Sequence, residues 1–116
     1  MQRLDILHES HVIDEQTHQL VGRVISYLQE VQALDIGKME VFITHLAMAV
    51  MRMKKGESID GVDAGILVDI EKSEYHGKAL QIIAEIESWS GFSYAQSEVS
   101  YLLLHLVNLF NEKGEK

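Results

Sequence analysis

The chain has 116 residues, 47% of them apolar and 24% charged, with no cysteine and a formal net charge of −8. That balance excludes intrinsic disorder, a disulfide scaffold, thiolate catalysis and cysteine-based zinc sites, and it argues against nucleic acid, whose phosphates call for a basic face. A chain this long buries roughly two-thirds of its unfolded surface, so residues 1–116 are expected to form a single domain, its core at about 8–110, with no metal or cofactor to hold it.

The stretch from Met1 to Glu9 has an early acid and no long apolar run, unlike a signal peptide. The richest segments, Met39 to Met53 and Tyr101 to Phe110, are too short or too interrupted to span a bilayer. A cytoplasmic protein without membrane contact is expected. Proline is absent and strand-like alternation never persists, so the fold class is all-α, a compact bundle of about five helices.

The first helix is predicted from Asp14, a suitable N-cap, to Val31, with Leu20, Val24, Leu28 and Val31 on one face. After a break at Asp35-Ile36-Gly37, a second runs from Lys38 to Lys55. It is apolar on nearly all sides through Val41, Phe42, Ile43, Leu46, Met48, Val50, Met51 and Met53, and is predicted to be central. Gly56 to Gly61 reads as a loop, and a short third helix follows from Asp63 to about Glu71. The fourth, Glu74 to Trp89, carries Leu80, Ile83 and Ile86 and can end at Gly91. The fifth opens on a capping box, Ser93 with Gln96, and continues to about Asn111. No internal repeat is visible.

Six histidines are the candidates for chemistry. His8, His11 and His18, interleaved with Glu9, Asp14 and Glu15, have ligand-type side chains, but a helix start at Asp14 falls among them and the spacing fixes no geometry. They are read as solvated histidines at a domain edge, with no metal expected, and His76 as an edge residue. His45 and His105 differ because each interrupts a strongly apolar helix, where a polar ring has to be satisfied or used. A hydrogen-bonded core or interface histidine satisfies the same pattern. Arg52 lies seven residues after His45 and Glu98 seven before His105, on the same helix face but about 10.5 Å away. If the second and fifth helices packed antiparallel, a histidine layer and an Arg52–Glu98 layer would result.

The segments Phe42-x2-His45-Leu46 with Arg52 beyond, and Glu98-Val99-x-Tyr101-x3-His105-Leu106, together with Val12-Ile13-Asp14 before the first helix, carry a resemblance. From about His8 to Phe110 the chain resembles the phosphotransferase-system regulation domain, or PRD, of bacterial sugar-operon antiterminators and activators. The resemblance implies a five-helix bundle that forms a homodimer. It also implies phosphoryl-acceptor histidines at His45 and His105, with Arg52 and Glu98 as supporting residues. The implied donors are the histidine-containing phosphocarrier protein and a sugar-specific B component of the transport system. Such a domain is not an enzyme; it takes part in transcription regulation, here through an unidentified partner, since the sequence starts almost at the resembling segment and no output domain precedes it. Thr44 stands where many members carry an acid, and Ser100 where a glycine is common. A degenerate PRD that only dimerises is the alternative. A metal-dependent helical hydrolase and a histidine phosphotransfer domain are rivals, although the chain lacks the His-Asp dipeptide of the first and the lysine and glycine that follow the histidine of the second.

Overall fold

A computed structural model describes residues 2–35 and 37–115, with the side chains of 4–35 and 37–112. Ile36, within the break expected at 35–37, lies outside the described residues. The described elements are all helical: α1 (Gln2–Glu9), α2 (Glu15–Glu30), α3 (Glu40–Lys54), α4 (Ala64–Glu71), α5 (His76–Ser90) and α6 (Gln96–Glu115). None of them is long and apolar enough to cross a membrane. The chain divides into two compact units, residues 1–57 and 58–116.

In the first unit α2 and α3 form an antiparallel pair, with α1 packed on both. Asp14 starts α2 as expected: its Oδ1 accepts the Thr17 backbone N–H at 2.7 Å, satisfying one of the donors left open at a helix start. Its other oxygen takes the Lys54 ammonium at 2.9 Å, and the same ammonium donates to Gln16 Oε1 at 2.7 Å. The end of α3 is thereby tied to the beginning of α2. Deeper in, the fully buried Thr17 hydroxyl donates to Met51 Sδ at 3.4 Å. Leu4, Ile13, Val21, Val24, Leu28, Leu34, Phe42, Ile43, Leu46 and Val50 are the main buried side chains of this unit.

α2 ends in a Schellman-type turn, in which Leu34 N–H reaches back to Leu28 C=O at 3.0 Å. The turn requires left-handed backbone, and Ala33, at φ 56, occupies the position that glycine usually fills. α1 was not predicted. Among its described side chains Leu4 alone, 3% exposed, is buried, and a helix of eight residues with so little buried leaves little periodic signal.

The second unit repeats the plan. Its short helix, α4, is started by Asp63, whose carboxylate accepts the Gly65 N–H at 3.0 Å, and packs on α6. α5 and α6 form an antiparallel pair, in which Tyr75 stacks on Phe110 at 5.7 Å and the Lys78 ammonium sits 4.6 Å above the same ring. α5 stops at Gly91, in the left-handed region at φ 86, as its sequence predicts. The capping box at Ser93 does not form: α6 begins at Gln96, so the serine is three positions outside the helix. The turn is held another way, by Tyr94 N–H donating to Glu87 Oε2 at 2.8 Å and by the 2.5 Å contact between the Ser90 and Tyr94 hydroxyls. Burial pushes the Tyr94 phenol up to about 12.

Asp14 gives the first unit a pH-dependent tie. The hydrogen bond with Thr17, helped by Lys54, lowers its carboxyl from 3.8 to about 2. Because the folded-state value lies below the ordinary one, this stabilisation is complete above pH 3.8 and is lost as the pH falls toward 2. The carboxylate is 45% exposed, so solvent screening keeps the Lys54 pair's share small. Urea unfolding of Asp14→Ala at neutral pH should show a loss of about 1 kcal/mol from the cap. The gap between wild type and variant should shrink across that acid window.

Candidate functional site

On a helix each residue is turned about 100° from the last. The buried residues of α3, which are Phe42, Ile43, Leu46, Ala47, Ala49 and Val50, therefore fall within an arc of about 160°. His45 lies just outside that arc and is exposed, on one stripe with Val41, Met48 and Arg52. Val41 is 52% exposed, and Met48 and Arg52 are half-buried. The expectation that α3 is enclosed on nearly all sides is thus corrected, because one face of it is open.

α6 reproduces this placement. Leu102, Leu103, Leu106, Val107, Leu109 and Phe110 are buried, at the same offsets from His105 that the α3 residues have from His45. His105 stands just outside their arc, half-buried, on a stripe with Tyr101 and Asn108. Two segments of nine residues, 42–50 and 102–110, therefore hold a histidine in the same relation to a buried face. The residue that follows each, Leu46 or Leu106, is wholly buried and fixes the histidine's turn of helix from the inside.

Arg52 sits in the last turn of α3 and Glu98 in the first turn of α6, the ends where the helix dipole favours a cation and an anion respectively. Glu98 is 2% exposed. His45, Arg52, Glu98 and His105 are all engaged by neighbouring groups. His45 with Arg52 belongs to the first unit, and Glu98 with His105 to the second.

The two departures from the resembling pattern have different consequences. The Thr44 hydroxyl is buried and makes no hydrogen bond, so it neither orients the His45 ring nor replaces an acid there. Ser100 does a new job: its hydroxyl donates to Ser97 C=O at 2.7 Å and accepts the Val62 N–H at 3.1 Å, stitching the segment before α4 to α6.

A family model for the PRD domain matches residues 23–109, which is most of the chain. The chain belongs to the PRD domain family. PRDs are a family of regulatory domains. The chain is also similar to the uncharacterised protein YhfY of Escherichia coli (strain K12), 26% identical over 116 residues, with 98% of this chain and 97% of the relative covered. No solved structure gives a significant match.

The remaining histidines are apart from this pattern. His11 is exposed and has left-handed backbone, φ 61, in the turn after α1, and His76 opens α5, half-buried. His8 and His18 were expected as solvated side chains at a domain edge. The structure instead stacks their rings, 4.1 Å between centroids, a meeting that depends on the unpredicted α1.

A buried hydroxyl without a partner forfeits its water without recompense. Thr44→Val, which keeps the β-branched shape, should therefore raise stability by about 1 kcal/mol in urea unfolding. Thr44→Ser should give no such gain.

Proposed function

We propose that this PRD is a regulatory module phosphorylated on His45 and His105 by the sugar phosphotransferase system, and that it signals to a transcriptional partner protein. The observation that carries the reading is the matched setting of the two histidines. Each is at the rim of a buried helix face, within reach of solvent or of a docked donor, while the leucine beside it is locked in place.

The chemistry suits imidazole. An unprotonated imidazole nitrogen attacks with its lone pair the phosphorus carried by the phosphorylated side chain of the phosphocarrier protein or the sugar-specific B component. The bond between that phosphorus and the donor side chain breaks as the phosphorus–nitrogen bond to the acceptor forms, and the proton released by the acceptor ring goes to the donor side chain. The chain accepts and reports a phosphoryl group; it turns over no substrate and is not an enzyme.

Each transfer adds about −1.5 to −2 charges beside apolar packing. On a chain already at −8, two such groups favour any arrangement that moves them toward cations or water. Two packings of a dimer differing by a few kcal/mol are enough for a switch of this kind. Ile66 and Val68 on α4 and Leu80 on α5 are all more than two-fifths exposed, which fits a homodimer or partner surface in the cytoplasm.

Incubation with phosphoenolpyruvate, enzyme I, the phosphocarrier protein and a B component should give an acid-labile mass increase. His45→Ala and His105→Ala should each lose one phosphoryl group, and the double variant both. A chain that takes up no phosphoryl group from any donor of this system, while folded by circular dichroism, would leave only a dimerisation role.

A further inference from the structure

α1 and the start of α2 lie ahead of the matched residues 23–109, and they build a cluster of a different kind. His8 is in the last turn of α1, and Glu15 and His18 are three residues apart on one face of α2. His8 Nε2 lies 2.7 Å from Glu15 Oε1, and the two imidazoles are stacked with their planes 15° apart. One ligand atom from each of His8, Glu15 and His18 falls within 4.8 Å of the others. A second carboxylate, Asp5 from α1, stands 3.3 Å from His18 Nε2.

We propose that His8, Glu15 and His18 form a binding site for a divalent transition-metal ion of the zinc type, with Asp5 or water completing its coordination. Two imidazoles and a carboxylate are the ligand chemistry of zinc and its neighbours, whereas calcium and magnesium ask for oxygen alone. Zinc bonds of about 2.0–2.1 Å in a tetrahedral site hold ligand atoms about 3.3–3.5 Å apart. The His8–Glu15 pair at 2.7 Å is closer than that, and the other ligand atoms are within 4.8 Å of one another. Seating an ion takes a rotation of one imidazole out of the stack, so that both ring planes contain the ion, and a shift of the carboxylates, which at 63% exposure for Glu15 and 58% for Asp5 have room to make it.

The frame is set before an ion arrives. The turn between the helices is fastened by Val12 N–H and Ile13 N–H, both donating to Leu7 C=O at 2.9 and 3.3 Å, and by His11 N–H on His8 C=O at 3.1 Å. Leu4 in α1 and Ile13 in the turn are buried. The imidazoles are about two-thirds covered, at 32% and 29% exposure, while the acids face water, leaving an entry path for the ion. An ion bound here fastens α1 to α2 and acts as a staple for the first unit. It needs no participation from His45 or His105.

The test uses the full chain, freed of metal by chelation and titrated with zinc alone in calorimetry, with cobalt(II) as a spectroscopic substitute. Saturation at one ion per chain, tetrahedral cobalt bands and a rise of the unfolding midpoint with zinc concentration are expected. His8→Gln, Glu15→Gln and His18→Gln, each folded by circular dichroism, should weaken binding about tenfold or more, and His8→Gln with His18→Gln should abolish it. His11→Gln, His76→Gln and His45→Gln with His105→Gln should bind as wild type. Absence of saturable binding in the wild type, or binding that survives the His8/His18 double variant, would overturn the site.

Discussion

The constraint on which the rest depends is the 100° turn per residue of an α-helix, applied to a run that must bury six apolar side chains around one histidine. With residues at −3, −2, +1, +2, +4 and +5 directed inward, the histidine is carried to the rim of the buried face. This is the situation of both His45 on α3 and His105 on α6. A ring one position further on would be enclosed, as Leu46 and Leu106 are, and a new phosphoryl charge there would meet a desolvation cost of several kcal/mol. At the rim the charge can keep water while pressing on packed neighbours. The placement would reconcile a stable core with the proposed phosphorylation.

The units around these helices are built to hold that rim steady. Each supports its histidine helix with one antiparallel neighbour and one short helix. In the first the pair is closed by Lys54 on Asp14 and Gln16, in the second by Tyr75 and Lys78 on Phe110. One closure is ionic and the other aromatic, so the same plan survives with different chemistry. Ser100 shows the same tolerance, standing where a glycine is common and making two hydrogen bonds through its hydroxyl.

Much of this was legible in the sequence. Asp14, Asp63 and Gly91 mark helix ends because their side chain, or lack of one, solves a local backbone problem, and each stands where expected. The prominence of His45 and His105 was legible as well, since polar rings in apolar runs carry a cost. The capping box at Ser93 misled because Ser90, Tyr94 and Glu87 compete for the same turn, a tertiary arrangement that a four-residue motif cannot register. α3 was read as enclosed because Val41 and Met48 are apolar, although burial there follows angle more than residue type. The shared pattern of 42–50 and 102–110 escaped notice because only its inward offsets agree. α1, with one deep anchor, and the meeting of His8 with His18 were hidden for the same reason: both depend on a turn whose geometry no short motif encodes.

The central claim is that two histidines, and no others, are set to accept a phosphoryl group. Its most direct test is to map the group by peptide mass spectrometry at neutral pH, where phosphohistidine survives, after transfer from the phosphocarrier protein or a B component to the wild-type chain. The account predicts phosphoryl groups on the peptides containing His45 and His105, and unmodified His8, His11, His18 and His76. Modification confined to any of those four, with His45 and His105 untouched, would contradict it.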